Sequence, residues 1–299
     1  MAAGRHESAA GRHELAGGRP EMAAGQPETA AGRHEMAGGR PERAGGLPSV
    51  SGAQPRSRPG PGSLRLVWVY PDLLSTYGDR GNLLILERRA RLRGLDIEAV
   101  MVNADQPVPR QGDIYLMGGG EDLPQILAAR RLRADGGLAA AARGGAVIFA
   151  VCAGYQLLGM EFGGDDGQPL PGLEILNISS GRGQRRGVGE ILADVAPSLG
   201  VPRLTGFENH QGVTRLGEGV APLARVVTGV GNGDGTEGAF AGRVVGTYLH
   251  GPVLVRNPGL ADLLLNWAAG PLPPLQTGEE EWTLRLREQR LAAVSAGPG

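Results

Sequence analysis

Short, continuous apolar segments that alternate with helical patterns constrain the fold of this chain most strongly. The clearest segments are 64–70, 96–102, 113–117 and 146–151. A strand that is apolar throughout must be covered on both sides, and such strands are typical of parallel sheets flanked by helices. The sequence therefore predicts an α/β fold in which a mostly parallel sheet carries helices on both faces.

Helical patterns separate these strands. The pattern from Asp79 to Arg93 has apolar residues at helical spacing, and Gly94 ends it. The second half of the chain is richer in glycine and turns, so its elements are less clearly marked. The other predicted elements are helices at 122–133, 136–143 and 258–268 and strands near 190–195, 225–230 and 243–248.

The two ends of the chain differ from the middle. The first 43 residues repeat a seven-residue unit, such as AAGRHES or AGGRPEM, that has glycine in every copy and no apolar seam. Such a repeat cannot form a coiled coil, and we expect disorder. The predicted organisation is a disordered repeat tail and linker at 1–63, a folded domain at 64–270, and a peripheral C-terminal tail at 271–299 with room for one short helix.

Composition excludes several classes of function. Lys and Arg number 30 against 31 Asp and Glu, so no basic excess supports nucleic-acid binding. Lysine does not occur, which excludes a standard Walker A nucleotide site because that loop needs a lysine. A single cysteine cannot form a multi-cysteine zinc site, and we expect no bound metal. No stretch reaches the roughly 20 apolar residues of a membrane span, and the N-terminus lacks the apolar core of a signal peptide. We expect a cytoplasmic protein.

The cysteine stands where a nucleophile would be expected. The strand 146–151 runs directly into Cys152, and small residues including Gly154 follow at the start of a helical pattern. A lone cysteine is more often a small buried apolar residue. However, a strand–turn–helix context is typical of a nucleophile elbow at the carboxyl edge of a sheet. We expect the amino end of the helix to lower the thiol pKa below its usual value of about 8.5.

Two further motifs contain candidate partners of the cysteine. The segment MGGGED at 117–122 follows a predicted strand, and the backbone N–H groups of Gly119 and Gly120, with that of Ala153, could stabilise an oxyanion, although glycine runs often form plain turns. A second predicted strand ends in His250, which we expect to be the proton-transferring residue. His210, in GFENHQG, is the alternative base.

Together the segments CAGYQ, GGGED, GFENH and YLHGP resemble the glutaminase domain of cobyric acid synthase-type class I glutamine amidotransferases, over residues 64 to about 270. The resemblance implies a flavodoxin-like fold, catalytic roles for Cys152 and His250, and an arginine that binds the substrate glutamine. Arg186 matches that arginine best, with its neighbour Arg185 as the alternative. A planar guanidinium can hold the α-carboxylate of glutamine at two points.

Two positions depart from the family pattern. The glycine usually found two residues before the cysteine is Ala150 here, which is small enough to be tolerated. The glutamate usually found two residues after the histidine is Pro252, so the resemblance implies a Cys–His dyad without a third member.

Within the family, the chain is most similar to the small glutaminase subunits that pair with the ligase MurT to amidate lipid II. That similarity implies a heterodimer in which this chain binds glutamine and no cofactor, while ATP and Mg²⁺ bind to the MurT-like ligase, which also handles lipid II. Two alternatives remain open. One is a glutaminase that feeds another synthetase, for example in cofactor biosynthesis, and the other is a non-catalytic regulatory subunit with the same fold.

Overall fold

The computed structural model describes residues 63–76, 78–164, 167–275 and 277–295. The predicted repeat tail and linker lie outside these residues, except for Ser63, where the first strand begins. In chain order the elements are β1 (Ser63–Val69), α1 (Arg80–Arg91), β2 (Asp96–Val102), β3 (Ile114–Met117), α2 (Asp122–Asp135), α3 (Gly137–Arg143), β4 (Val147–Val151), α4 (Ala153–Leu157), β5 (Glu161–Gly163), β6 (Pro169–Pro171), β7 (Ile178–Val195), a 3-10 turn (Pro197–Leu199), β8 (Leu204–Leu216), β9 (Ala224–Thr228), β10 (Thr236–Glu237), β11 (Ala239–Ala241), β12 (Val244–Thr247), α5 (Val253–Arg256), α6 (Pro258–Ala269) and α7 (Gly278–Ser295).

The apolar segments form one mostly parallel sheet, as the sequence predicted. Its strand order is β11-β12-β4-β3-β1-β2, and only the edge strand β11 pairs antiparallel. The central strands β3 and β4 are buried at every position, because helices and loops cover the sheet on both sides. Strand β4 has β3 on one side and β12 on the other, and the chemistry discussed below depends on this arrangement.

The apolar residues that predicted helix α1 are the ones that pack against the core. The residues predicted at helical spacing, Leu83, Leu86 and Ala90, are all buried. The predicted bounds of the helix and the observed bounds differ by one residue at the start and two at the end. None of the helices in the described part of the chain is long and apolar enough to cross a membrane.

A second sheet was not predicted. Strands β10, β9, β7, β5 and β6 form it in that order, and β8 pairs with β7 in a long antiparallel hairpin. Strand β7 spans 18 residues, ISSGRGQRRGVGEILADV, and most of its first half is polar or glycine. A strand that is partly exposed carries no apolar run, so only its buried end near 190–195 was visible in the sequence.

The C-terminal segment contains a helix of 18 residues, longer than the short helix expected there. Helix α7 is tied to the domain by charge. Arg89 of α1, whose side chain is only 4% exposed, donates two hydrogen bonds of 2.7 Å to Asp262 of α6 and another of 2.7 Å to Glu280 of α7. Ion pairs of this kind leave no apolar periodicity, which explains why the length of the helix was not apparent from the sequence.

Arg89→Met should destabilise the protein by about 3–5 kcal/mol, because it removes the cation that bridges Asp262 and Glu280 and leaves Asp262 with Arg93 alone. Arg91→Met on the same helix is the matched control. The Arg91 side chain is 59% exposed and, among the residues that the structure describes, pairs with Glu87 one turn away, so its loss should change stability by less than about 0.5 kcal/mol. Urea unfolding of both variants measures the difference, and equal effects would show that Arg89 does not anchor α7.

Candidate functional site

Three neighbouring strands bring the predicted site residues to one edge of the parallel sheet. Met117 lies opposite Ala150, and Val151 lies opposite Thr247, so β3, β4 and β12 end at about the same level. The glycine turn, Cys152 and His250 follow these three ends. A Cβ atom placed on Gly119 would lie 2.9 Å from Cε1 of His250 and 3.5 Å from Cβ of Cys152. The glycine at this position therefore touches both candidate catalytic residues.

Cys152 occupies the sharp turn that the sequence predicted. Its backbone has φ 52° and ψ −107°, a region that residues with a Cβ rarely adopt, and α4 begins at the next residue. The Gly154 N–H donates to the carbonyl of Gly118 at 3.1 Å, and a Cβ on Gly154 would lie 2.8 Å from that oxygen. Only glycine lets α4 approach the turn after β3 this closely. A strained nucleophile between a strand and a helix is the geometry of an elbow.

The expected low thiol pKa is contradicted by the structure. Burial raises the pKa of Cys152 to about 12, while the Ala153 N–H and the Arg186 guanidinium act in the opposite direction. The amino end of α4 was expected to lower the thiol pKa, but α4 has only five residues and lies in a buried site, where ionisation of the thiol is costly. The resting sulfur is therefore a neutral thiol.

His250 is also neutral. It is 2% exposed, and burial lowers its pKa to about 4, with the nearby His210 as the second cause. A buried thiol beside a neutral imidazole can react when the imidazole accepts the thiol proton during attack.

A buried acid from outside the glycine turn holds the turn in place, and the sequence analysis missed it. The Gly119 N–H donates to Oδ2 of Asp79 at 2.7 Å. This predicted oxyanion donor thus already has a carboxylate partner. Gly120 lines the cavity in front of Cys152, and the Ala153 N–H lies at the sulfur, so these two N–H groups fit the predicted role better. Asp79 precedes α1, where an acidic residue resembles an ordinary helix cap, and its role was hidden for that reason.

The long hairpin of the second sheet forms the opposite wall of the site. A bulge in β7 between Arg182 and Gly187 carries Arg186, whose Nε and Nη2 donate to Oδ1 of Asn209 at 3.0 and 2.7 Å. Arg186 lines the cavity, whereas Arg185, which is also described, is not among its lining residues. The geometry favours Arg186 over Arg185 for binding an anionic group near Cys152. The cavity measures about 150 Å³, and it is lined by Gly120, Glu121, Asp122, Gln125, Cys152, Ala153, Gln156, Gly163, Gly164, Gly181, Arg182, Arg186, Asn209, His210, Gln211 and Gly212.

His210, the alternative base, lies on this hairpin wall. Its Nδ1 is 2.9 Å from the carbonyl oxygen of Gly212, and its Nε2 is 3.4 Å from Oε2 of Glu208. The ring stacks on Tyr248, with ring centroids 3.9 Å apart. Because both ring nitrogens are engaged, the structure favours His250 over His210 as the residue that accepts a proton from Cys152.

A chain of hydrogen bonds runs beneath the cavity and joins the two sheets. Nε2 of Gln125 donates to Oε1 of Gln156 at 2.8 Å, and Nε2 of Gln156 donates to the Tyr248 hydroxyl at 3.2 Å. The Tyr248 hydroxyl lies 2.7 Å from Oγ1 of Thr214, which is 2.8 Å from Oγ of Ser180. This chain fixes Tyr248, two residues before His250. In the described residues, no three His, Cys, Asp or Glu side chains gather as metal ligands would.

Alkylation of the thiol tests the electrostatic role of Arg186, because Cys152 is the only cysteine in the sequence. Arg186→Met removes a charge that lowers the thiol pKa, so less thiolate forms at a given pH. Iodoacetamide should then react about two- to tenfold more slowly at pH 8. Arg185→Met, one residue away, is the control and should leave the rate unchanged. An equal rate for all three proteins would contradict the placement of Arg186.

Asp79→Asn should stabilise the protein at neutral and alkaline pH. Burial raises the pKa of Asp79 from 3.8 to about 6, so the stability of the wild-type protein falls as the pH rises between these two values and is fully lost once the buried carboxyl ionises. The amide removes that loss, which is on the order of 3 kcal/mol at pH 8 and close to zero at pH 4. Urea unfolding at the two pH values measures the difference, with exposed Asp105→Asn as the control. A gain that is the same at both pH values would contradict the buried charge.

Comparison with known proteins identifies the family of this chain. Residues 65–258 match the family model described as the CobB/CobQ-like glutamine amidotransferase domain. The chain is 35% identical over 201 residues to the lipid II isoglutaminyl synthase (glutamine-hydrolyzing) subunit GatD of Staphylococcus aureus strain N315, covering 66% of this chain and 81% of that protein. It is 33% identical over 213 residues to the subunit GatD of Streptococcus pneumoniae, covering 70% and 81%.

A more distant relative is the cobyric acid synthase of Sphingopyxis alaskensis, 31% identical over 202 residues that cover 60% of this chain and 38% of that longer protein. These matches confirm the family resemblance that the four short motifs predicted. With the matched region extending over both sheets and the whole cavity, the chain belongs to the CobB/CobQ-like glutamine amidotransferase family and is a glutamine-hydrolysing amidotransferase.

Proposed function

We propose that this chain is the glutaminase subunit of a lipid II isoglutaminyl synthase, with Cys152 as nucleophile and His250 as its proton-transfer partner. The observation that carries the proposal is the meeting of Cys152, His250 and Gly119 at one sheet edge, beside a cavity with Arg186 on its far wall. The similarity to the two GatD subunits, each matched over 81% of its length, supports the lipid II assignment.

Substrate glutamine enters the cavity with its α-carboxylate on Arg186 and its side-chain amide at Cys152. A guanidinium can bind a carboxylate at two points, and the bulge of β7 places Arg186 opposite the sulfur. Asn209, already bonded to Arg186, fixes the orientation of the guanidinium. This arrangement selects an amino acid with a free α-carboxylate.

Attack begins from the neutral pair. Sγ of Cys152 forms a bond to the amide carbon while its proton passes to the imidazole of His250. The N–H groups of Ala153 and Gly120 stabilise the oxyanion. His250 then returns the proton to the departing nitrogen, the C–N bond breaks, and ammonia leaves a thioester on Cys152. Water adds to the thioester and releases glutamate, which restores the thiol.

Ammonia is useful only if another enzyme consumes it. The chain has no lysine and thus no standard Walker A loop, which supports an ATP-dependent partner. We propose that the partner is a MurT-type ligase in the cytoplasm that binds ATP and Mg²⁺ and activates the D-glutamate carboxylate of lipid II. The ammonia would convert it to D-isoglutamine. The second candidate is a synthetase of cofactor biosynthesis, favoured by the similarity to cobyric acid synthase.

Reconstitution with amide-labelled glutamine tests both halves of the proposal. The chain, a MurT-type ligase, ATP, Mg²⁺ and lipid II should together give labelled, amidated lipid II and glutamate, detected by mass spectrometry. Cys152→Ser should lower the rate of glutamate release by at least about a thousandfold, because a serine hydroxyl beside a neutral histidine is a far weaker nucleophile than the native thiol.

Ammonium chloride provides the control for that variant. If Cys152→Ser only removes the nucleophile, the complex should still amidate lipid II when ammonia is supplied from solution. Loss of amidation with ammonium as well would indicate a damaged complex instead. If the nitrogen label reached a cofactor precursor and never lipid II, the lipid II assignment would be wrong, while the glutaminase activity would still stand.

A further inference from the structure

The hairpin histidine has an unusual hydrogen-bond environment. Nδ1 of His210 faces the carbonyl oxygen of Gly212 at 2.9 Å, and Nε2 faces Oε2 of Glu208 at 3.4 Å. A carbonyl oxygen and a carboxylate can only accept hydrogen bonds. A neutral imidazole carries one N–H and satisfies one of them, whereas an imidazolium carries two and satisfies both.

Glu208 is held as an anion by its surroundings. The residue is 2% exposed, and its carboxylate accepts the N–H groups of Val230 at 2.8 Å and Gly231 at 3.0 Å. Hydrogen bonds from these groups and from His210 lower the pKa of Glu208 against the effect of its burial. A buried carboxylate requires a nearby positive charge, and His210 is the titratable group in hydrogen-bond contact with it.

We infer that His210 is held as an imidazolium by Glu208 and acts as a fixed positive charge in the Cys152 cavity, which keeps His250 in the neutral form that accepts a proton. His210 is a positioning residue in this scheme, because it keeps its own protons throughout the reaction. The inference rests on the proposed role of His250 as the base.

The location of the charge supports this role. His210 lines the cavity in front of Cys152, and its ring is fixed against Tyr248, two residues before His250. The pKa of His250 is lowered first by its burial and second by the charge of His210, which disfavours a second positive charge nearby. The positive charge of His210 also disfavours ammonium relative to neutral ammonia, which is the form that a ligase can use.

The titratable and charged groups of the described residues around this site are Asp79, Glu121, Asp122, Cys152, Arg182, Arg186, Glu208, Glu237, Tyr248 and His250.

The pH dependence of kcat/KM for glutamate release tests the inference. His210→Phe keeps a ring on Tyr248 without the charge, and Glu208→Gln keeps the shape of the side chain while removing the anion that holds the imidazolium. Each variant should move the acid limb of the profile, which reports His250 in the free enzyme, to higher pH by on the order of one unit. If His210 and Glu208 had only a structural role, the variants would lower the maximal kcat/KM and leave the pH of the acid limb unchanged.

Glu98→Gln is the matched control for the charge change. Glu98 pairs with Arg65 on the far side of the parallel sheet, so its loss should leave both limb and plateau unchanged. An acid limb that stays at its wild-type position in both His210→Phe and Glu208→Gln would overturn the inference.

Nitrogen NMR of the wild-type protein, labelled at histidine, tests the charge directly and does not depend on activity. The signals of the His210 ring, assigned by their absence in His210→Phe, should show both nitrogens protonated throughout the active pH range. A neutral tautomer of His210 at pH 7 would refute the inference. Failure of the lipid II assignment would appear only in the amidation assay, so the two outcomes are distinguishable.

Discussion

Backbone hydrogen bonds hold β4 in parallel between β3 and β12, and the active site exists because these three strands end at one edge of the sheet. Each strand end leads into a different functional segment: the glycine turn, the cysteine elbow and the histidine. A shift of β12 by one residue would turn its side chains to the other face and remove His250 from Cys152. The placement of both residues beside Gly119 is therefore a property of the sheet register.

The edge of the sheet at Cys152 and His250 also depends on buried polar groups that hydrogen-bond to the segments around it. Glu237 is fully buried; it accepts hydrogen bonds from the Thr247 hydroxyl at 2.9 Å and from the Tyr248 N–H at 2.6 Å, and burial raises its pKa to about 8. The carboxyl group thus fixes the segment between β12 and His250. Such groups are costly to bury, and each one here fixes the path of a segment that leads to the cavity.

Much of the parallel sheet was predictable because its strands are apolar on both faces, a pattern visible in any window of the sequence. Cys152 was predictable for the same reason, since its strand ends abruptly at it. The antiparallel hairpin was not, because β7 is built from glycine, serine and arginine and acquires its partners only by pairing with β8. Glu208, Asp79 and Tyr248 were missed because their roles come from contacts between distant segments: Glu208 reaches the amides of Val230 and Gly231, and Asp79 reaches Gly119.

The thiol pKa shows where local reasoning fails in the opposite direction. The strand–turn–helix geometry around Cys152 was predicted correctly. However, the electrostatic effect of a five-residue helix is small compared with the cost of ionising the thiol of a residue that is only 8% exposed. Desolvation depends on everything packed around an atom, and the sequence near Cys152 contains little of that information.

The division of the site between two sheets has an evolutionary consequence. The ends of the parallel strands carry Cys152 and His250, the proposed nucleophile and base, whereas the bulged hairpin of β7 and β8 carries Arg186 and Asn209. Point mutations in the bulge can change which molecule is held without disturbing the register that brings the sulfur and the imidazole together. Selection can therefore act on substrate binding, through the largely exposed segment 183–186, separately from the strand register on which the proposed acyl transfer depends.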